Sequence, residues 1–576
     1  MRKQRIIIAI VICAMLLTSG TFCDFVTVMA STSQIASGKC GDNLKWNIDN
    51  MGVLTISGTG RMNSWRIHQT PWENYLRNVN TVIVEEGVTS IGTYSFWQCY
   101  SLSTVQLSKG IKEIETCAFW NCENLSSLEF PMGVTKIGNS AFGRCPKLSS
   151  IFIPSSVINI GDEAFWECEG LQSIVVDEDN ERYNSKDNCN AIIDSKTNEL
   201  LYGCESTIIP NRVTKIGEGA FMGCDGLISI EIPTSVTSIG NLAFRDCSSL
   251  QYIKMSDNVT EIGNQAFNSC VSLKSINLSK KLKNIGELAF YNCTGLLSID
   301  IPSSVVSIGD SAFMQCEGLK SVKFSKNLTK ISQYSFERCK SLLSVEIPSG
   351  VTEIGYYAFY DCENLREVKI PASVTKICSL AFSICPNLSS ITVDEYNKKY
   401  DSRNNCNAII DTEDNALLFR SNNSVIPKGI ISIEEYSFYS CNSLTNIKIP
   451  SSVEKIGECA FGYCKELKTV EFNYGLKTIE GGAFEFCDKL ANIKIPSSTN
   501  KIGDRAFVYC TSLNEIEIPS SVASMGDYVF SHGSKNLCIY GKTGTYAQKY
   551  AKDNNIPMSV YIKKLIQDDL DRKGYK

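Results

Sequence analysis

The stretch LISIEIPTSVTSIGNLAFRDCSS, residues 227–249, carries the pattern that decides the fold. Leu227, Ile230 and Ile232 alternate with polar residues, which predicts a short strand with one buried face. Pro233 ends this strand, because proline lacks the N–H that a strand ladder needs. One such stretch is too short to bury its apolar side chains alone, so it is expected to pack against copies of itself.

Those copies follow one another with a period of 23 residues, and a phenylalanine marks each of them. The phenylalanines form three series: Phe96, Phe119, Phe142 and Phe165; Phe221, Phe244, Phe267, Phe290, Phe313, Phe336, Phe359 and Phe382; Phe438, Phe461, Phe484, Phe507 and Phe530. Each of the two breaks spans 56 residues and contains a similar insertion, VVDEDNERYNSKDNCNAIID (175–194) and TVDEYNKKYDSRNNCNAIID (392–411). The sequence therefore predicts a mainly β repeat solenoid in which a block of repeats and one insertion is duplicated.

A cysteine follows the phenylalanine by three residues in every repeat but the last, where Gly533 stands instead. A metal site or nucleophile is not needed at every coil. Stacked thiols would lie near the Cα separation of a disulfide, but their parallel Cβ vectors suit the S–S torsion poorly. Buried cysteine behaves as a small hydrophobic residue, so core packing is favoured for the ladder to which Cys316 belongs.

Two cysteines of the first insertion, Cys189 and Cys204, could pair around the hairpin AIIDSKTNELLYG. In the second insertion Cys406 corresponds to Cys189, but Ser421 replaces Cys204. The sequence leaves this disulfide open.

The insertions are also rich in Asp and Asn, which could indicate calcium, but the D-x-D-x-D-G pattern is missing and turn formation explains the composition better.

Composition narrows the classes of function. The 576 residues are 43% hydrophobic and 20% charged, with a formal net charge of −5, which does not indicate nucleic-acid binding. Only two histidines occur, His68 and His532, so most histidine-dependent catalytic and zinc arrangements are ruled out. The scattered Asp and Glu form no recognisable acid/base pair. We therefore expect neither an enzyme nor a cofactor or metal site.

The first residues, MRKQR followed by IIIAIVICAMLL, read as a basic segment and a short apolar segment. A small-residue cleavage site follows at Val28-Met29-Ala30, which predicts an export signal over residues 1–30. The tail after Pro557 carries no recognisable anchoring motif. The mature protein is expected to be secreted, or associated non-covalently with the cell surface.

The repeat L-x-x-I-x-I-P-x-x-V-x-x-I-G-x-x-A-F-x-x-C resembles the BspA-like class of bacterial leucine-rich repeats. The resemblance implies a right-handed leucine-rich repeat solenoid over residues 76–540, with insertions near 175–210 and 392–427. Residues 31–75 would form an N-terminal β-hairpin cap, and 541–576 a C-terminal cap and tail. Members of the class are exported or surface-attached, and some bind matrix proteins or other cells. The resemblance thus implies an adhesion or protein- or glycan-binding role, with an extracellular macromolecule as partner. The alternative is a structural envelope or matrix component without a specific ligand.

The outward positions of the predicted strands are the candidate partner-binding residues. Most of them carry charges of alternating sign, which stabilise neighbouring strands and need no ligand to explain them. The candidates among them are Glu231, Lys254, Lys323, Glu346 and Lys369. Phe152 and Val175 break the series at the same outward position. Exposed apolar neighbours would indicate a recognition site, unless the first insertion folds back and covers them.

Overall fold

The structure, a computed structural model, describes residues 33–421 and 424–560. The predicted export signal (1–30) and the tail beyond Val560 lie outside the described residues. The described chain is a β-solenoid of about 21 turns with coils of about 23 residues, as the repeat predicts. Most regular coils contribute one longer and one shorter strand, and a tight corner connects the short strand to the next coil.

The longer strands stack in parallel to form one wall of the solenoid, which we call the long-strand wall. Its residues pair with those 23 positions later, as Glu231 does with Lys254. Its strands are Thr81–Val84, Thr104–Gln106, Ser150–Ile153, Ser173–Val176, Ser229–Ile232, Tyr252–Met255, Ser275–Ile276, Ser298–Asp300, Ser321–Lys323, Ser344–Glu346, Glu367–Ile370, Ser390–Val393, Asn446–Ile449, Thr469–Phe472, Asn492–Lys494, Glu515–Glu517, Cys538–Gly541 and Met558–Val560.

The shorter strands form the opposite wall with the same parallel register. They are Gly60–Arg61, Val88–Ile91, Glu113–Ile114, Lys136–Ile137, Asn159–Ile160, Lys215–Ile216, Ser238–Ile239, Glu261–Ile262, Asn284–Ile285, Ser307–Ile308, Lys330–Ile331, Glu353–Ile354, Lys376–Ile377, Ser432–Ile433, Lys455–Ile456, Thr478–Ile479, Lys501–Ile502 and Ser524–Met525. Each insertion adds three strands to this wall: Tyr183–Asn184, Ala191–Asp194 and Glu199–Gly203, then Tyr400–Asp401, Ala408–Asp411 and Ala416–Arg420. Short 3₁₀ turns lie at Glu73–Tyr75, Lys186–Asn188 and Arg403–Asn405.

At both ends of the described solenoid the regular coils give way to other elements. At the N-terminus, Gln34–Lys39, Leu44–Asp49 and Val53–Gly58 form an antiparallel sheet that continues into the long-strand wall. Trp72 is fully buried there and stacks on Phe96 with ring centroids 5.6 Å apart. At the C-terminus, the helix Tyr546–Asp553 packs against the last coils and the chain returns as a final strand.

The core of the solenoid is a stack of parallel phenylalanine rings beside a ladder of thiols. Phe313 is fully buried, and its ring lies 5.2 Å from that of Phe290 and 5.3 Å from that of Phe336. Cys316 is also buried, and its Sγ donates to the carbonyl oxygen of Phe290 in the preceding coil at 3.1 Å. The cysteine therefore belongs to the core, as predicted, and it also satisfies a backbone carbonyl. Cys189 and Cys204 are both free thiols.

The corner of each coil contains two residues with positive φ. In one coil these are Ser311 (φ 57°) and Gln315 (φ 61°), on either side of Phe313. The N–H groups of these three residues donate to the next coil, for example from Ser311 to the carbonyl of Gln333 at 3.0 Å. The alternation of left- and right-handed residues thus directs every second N–H along the solenoid axis. This geometry costs free energy at residues other than glycine.

We expect Ser311→Gly to raise the free energy of unfolding by about 0.5–1 kcal/mol, because glycine adopts positive φ without steric cost. The urea midpoint measures this. Ser307→Gly is the matched control, since Ser307 lies in a short strand, and there glycine should lower stability by about 0.5–1 kcal/mol. Equal shifts of both variants in the destabilising direction would contradict the conformational explanation.

The insertions divide the hydrophobic core. The buried apolar residues form three clusters, which extend from Cys40 to Cys204, from Cys189 to Phe419 and from Cys406 to Ala551. At each boundary an aromatic residue of the insertion packs edge-on against the last phenylalanine of the preceding series, Tyr202 against Phe165 and Phe419 against Phe382. The parallel ring stack is therefore interrupted where the clusters meet.

Candidate binding surface on the long-strand wall

The outer face of the long-strand wall presents the charged residues that the sequence singles out. Glu231 and Lys254 are exposed and directly paired, with Nζ and Oε1 2.6 Å apart. Lys323 makes the same contact with Asp300 at 2.8 Å. Pairs this exposed contribute only about 0–1 kcal/mol each. They neutralise the charges of neighbouring strands, so this part of the face carries both signs of charge and no net excess of either.

The series of ion pairs between neighbouring strands is less complete further along the chain. Glu346 lies directly opposite Lys369 in the parallel register. Lys369 instead contacts Glu367 of its own strand, with Nζ and Oε1 3.3 Å apart. Within residues 33–421 and 424–560, Glu346 makes no ion pair. Its carboxylate is therefore available to a partner at little electrostatic cost to the sheet.

Two shallow grooves lie along this face where the long strands end at their Pro turns. One, of about 690 Å³, is lined by residues that include Glu231 and Lys254. The other, of about 710 Å³, is lined by residues that include Lys323, Glu346 and Lys369. The five charged candidates thus fall into two groups, one just after the first insertion and one just before the second.

The two apolar candidates lie side by side and are accessible. Phe152 pairs with Val175 in the parallel register of strands Ser150–Ile153 and Ser173–Val176. Their side chains are 41% and 44% exposed. The insertion that follows Val175 therefore does not fold back over them, and the alternative that they are covered is wrong.

A third apolar residue, Ile208, extends the apolar set; it lies 33 residues after Val175 but the regular 23 residues before Glu231. It leaves the first insertion in the segment Thr207-Ile208-Ile209-Pro210, which aligns with Ile230-Glu231-Ile232-Pro233 of the next coil. Ile208 thus occupies the outward position of Glu231 and is 72% exposed. Ser206 Oγ donates to the carbonyl of Gln172 at 2.8 Å, so the segment leading to Ile208 contacts the one leading to Val175.

The corresponding part of the second copy is more polar. Lys369, Thr392 and Val425 stand where Phe152, Val175 and Ile208 stand in the first. The three outward residues Phe152, Val175 and Ile208, which we call the apolar triplet, therefore distinguish the two otherwise similar insertion regions. A preserved fold with a changed surface indicates that the difference is not required for folding.

Comparison of the sequence with known families agrees with this architecture. The family pattern described as BspA type Leucine rich repeat region (6 copies) matches residues 67–193, 191–320, 283–409 and 419–545. The chain belongs to this family. Leucine-rich repeat proteins of the BspA type are binding proteins and are not known as enzymes. Membership therefore indicates a repeat protein that binds other proteins.

Two solved structures that are similar to this chain are bacterial proteins. A leucine rich cell surface protein from Faecalibacterium prausnitzii A2-165 is 30% identical, over 64% of this chain and 96% of its own, with a TM-score of 0.49. A leucine-rich repeat protein from Bacteroides ovatus ATCC 8483 is 27% identical, over 66% of this chain and 97% of its own, with a TM-score of 0.47. No curated protein matches the sequence. In the part of the chain that the structure describes, no helix has the length and apolar character needed to cross a membrane.

Proposed function

We propose that this BspA-type protein is a secreted or cell-surface binding protein that holds an extracellular macromolecule, a protein or a glycan, against the long-strand wall and thereby mediates adhesion. The observation that carries the proposal is the exposure of three neighbouring apolar side chains, the apolar triplet, on a wall whose other outward residues are mostly charged or polar. Contiguous apolar side chains on a soluble surface are costly unless something binds them.

The groove next to the apolar triplet also supports a binding role for this wall. The groove beside Glu231 and Lys254 begins at Ile208 itself, which lines it. A partner that covers the triplet would therefore continue into a groove with one acidic and one basic side chain. Apolar contacts surrounded by polar ones are typical of protein recognition sites. The domain limits proposed above, with a solenoid over 76–540, place this surface within the repeats.

A second candidate function is a structural component of an envelope or matrix. The charge pairs favour it, because Lys448 with Glu471 and Lys494 with Glu517 contact each other at 2.6 and 3.0 Å. Charges already neutralised within the wall contribute little to recognition. A structural role requires length and stability but no saturable ligand, which separates the two candidates experimentally.

The test is a binding array of matrix proteins, mucins and glycans, probed with the mature protein. We expect saturable binding to at least one of them, and a loss of affinity of tenfold or more in the triple variant F152S/V175S/I208S. Each large apolar contact removed from an interface centre costs about 1 kcal/mol or more, and three together exceed a factor of ten.

The matched control is the double variant I158S/V306S. Ile158 and Val306 are 65% and 53% exposed, and each immediately precedes a short strand of the opposite wall. This variant removes exposed apolar area without touching the triplet and should bind as the parent does. Binding that survives the triple change excludes the triplet as the site, and an array with no saturable ligand favours the structural role.

A further inference from the structure

A row of cations and leucines runs along the solenoid at the beginning of the long strands. It has one residue in each of five successive coils, at intervals of 23 residues: Lys274, Leu297, Lys320, Leu343 and Arg366. All five side chains are exposed, Leu297 to 48% and Leu343 to 46%. Each residue comes immediately before a strand of the long-strand wall, so we call the five the margin row. Cations and apolar side chains therefore alternate from one coil to the next.

Backbone hydrogen bonds hold the members of the margin row in adjacent coils. The N–H of Leu297 donates to the carbonyl of Lys274 at 3.2 Å, and that of Lys320 donates to the carbonyl of Leu297 at 2.9 Å. Leu343 and Arg366 continue the series with bonds of 3.2 and 2.9 Å. Neighbouring strands lie roughly 4.8 Å apart, so a cation recurs about every 9.6 Å along the solenoid.

The protein does not neutralise the three cations of the margin row. Lys274, Lys320 and Arg366 make no ion pair with any other described residue. Lys274 contacts only neutral groups through its Nζ, which donates to Oε1 of Gln251 at 3.4 Å and lies 5.8 Å from the ring centroid of Tyr252. The positive charge of the row is therefore available to a partner.

The acids that flank the margin row contact other lysines instead. On the corner side, Lys340 contacts both Glu317 and Glu363, with Nζ to Oε1 distances of 3.1 and 3.7 Å. On the side of the wall, Glu367 contacts Lys369 at 3.3 Å. An anionic partner on the margin row would therefore lie next to acids whose charge is already compensated.

The next row towards the wall offers hydroxyl groups. Its members in four of the five coils are exposed serines: Ser275, Ser298, Ser321 and Ser344. Ser298 lies directly opposite Ser321 in the parallel register. Beyond this row, Asp300 is paired with Lys323, and Glu346, which has no ion pair, lies two residues after Ser344. A partner on the margin row thus meets neutral hydroxyls before it reaches the charges of the wall.

These two rows define the chemistry of a partner. Uncompensated cations at a constant interval match a polymer with anionic groups at the same interval. Two coils are close to the length of a disaccharide, so an acid on every second sugar would meet one cation. The exposed leucines suit the apolar C–H face of the neutral sugar in between. The serine hydroxyls can donate to, and accept from, sugar hydroxyls.

We propose that the margin row binds a linear acidic polysaccharide in which every second sugar carries an anionic group. The polymer lies along the solenoid axis, with its anions on Lys274, Lys320 and Arg366 and its neutral sugars over Leu297 and Leu343. This site uses no residue of the apolar triplet. It therefore does not depend on a contact at the triplet, and the two proposals can fail separately.

The test is a calorimetric titration of the mature protein with a hyaluronan hexasaccharide, in which a uronate alternates with a neutral N-acetylated sugar. At physiological ionic strength, exposed charges more than about 8 Å away are largely screened, so the adjacent cations dominate. We expect saturable binding that K274Q/K320Q/R366Q weakens at least tenfold, because three charge-assisted contacts are lost. The matched control is K109Q/K196Q/K283Q, which removes the same charge from exposed lysines outside the row. It should bind within twofold of the parent.

Three further measurements separate recognition of the polysaccharide from charge alone. A neutral hexasaccharide of N-acetylglucosamine should show no saturable binding, and inorganic polyphosphate should bind at least threefold more weakly than hyaluronan. The variant L297S/L343S keeps every charge and should bind hyaluronan at least threefold more weakly than the parent. All substituted side chains are exposed, so each variant should unfold at the temperature of the parent.

Four results would overturn the proposal. These are an absence of saturable hyaluronan binding, equal losses in the two lysine and arginine variants, polyphosphate binding as tight as that of hyaluronan, and unchanged hyaluronan affinity in L297S/L343S. The variant F152S/V175S/I208S should bind hyaluronan as the parent does. A loss of affinity there would place the polysaccharide on the apolar triplet and exclude the margin row as its site.

Discussion

Under native conditions at pH 8, a thiol reagent is expected to modify only four cysteines of the solenoid within minutes. These four are the partly accessible ones, Cys117, Cys224, Cys459 and Cys538; burial raises the pKa of Cys117, Cys224 and Cys459, so these three should react more slowly than an unhindered thiol. The other cysteines among the 24 of the described residues should react only as the protein unfolds. Counting modified thiols by mass spectrometry, before and after addition of denaturant, measures the difference.

The expected difference in modification rate is large because burial both lowers the thiolate population and excludes the reagent. The thiolate is the reactive form, and burial raises the pKa of Cys316 to about 12. Relative to an exposed thiol with a pKa near 8.5, its thiolate population at pH 8 is lower by roughly three orders of magnitude. The side chain is in addition fully buried, so the reagent cannot reach it without an opening of the coil. The rate of modification should therefore follow the rate of local unfolding.

The same experiment tests the ladder of thiol–carbonyl contacts. Cys293, Cys316 and Cys339 each donate to the phenylalanine carbonyl of the preceding coil, at 3.1 to 3.3 Å. Disulfides between neighbouring coils would remove these donors in pairs. A denatured count well below 24, restored by a reductant, would contradict a core of free thiols. Rapid native modification of Cys316 would contradict its burial.

The sequence predicts the periodic part of the fold because every coil repeats the same physical requirement. Leu227, Ile230 and Ile232 must be buried, and only a neighbouring coil can bury them. The hairpin register at the N-terminus follows for the same reason, since Trp46 pairs with Ile56 and Ile48 with Leu54, as the alternation indicates. A register shifted by one residue would turn these side chains to solvent.

The backbone of the corner could not be predicted in this way. The positive φ of Ser311 and Gln315 has no signature in residue type, because the equivalent positions hold Leu288 and Asn292, or Leu380 and Ile384, in other coils. What selects the conformation is the hydrogen bonding of each corner to the next one, which is a property of the stack. For the same reason the thiol–carbonyl contacts emerge only when coils are placed side by side.

The candidate binding surface also has residues that the sequence predicts and residues that it does not. The charged residues and the pair Phe152 and Val175 follow from the 23-residue register, and the structure places them on the outer face as expected. Ile208 lies 33 residues after Val175, so a register counted forward misses it, although it precedes Glu231 by the regular 23 residues and TIIP resembles IEIP.

Phe313→Ala is expected to lower the free energy of unfolding of the middle core cluster by about 3–5 kcal/mol, as large-to-small changes at fully buried phenylalanines do. The Phe313 ring is held between those of Phe290 and Phe336, with interplanar angles of 1° and 6°. Neither neighbour can move into the gap without breaking its own stack. The cavity therefore persists, and both interfaces of the coil are weakened.

The location of the loss is as informative as its size. In a solenoid each coil contacts only its neighbours, so the effect should spread within one core cluster and stop where the ring stack is interrupted. Hydrogen exchange should show faster exchange in coils between residues 221 and 382, with unchanged protection between 81 and 160. Phe152→Ser is the control, because that side chain is exposed and its loss should change stability by no more than about 0.5 kcal/mol. An equal loss of hydrogen-exchange protection in all three clusters would contradict this prediction. It would mean that a coil weakened at Phe313 destabilises coils beyond Tyr202 and Phe419, so that the insertions do not interrupt cooperative unfolding.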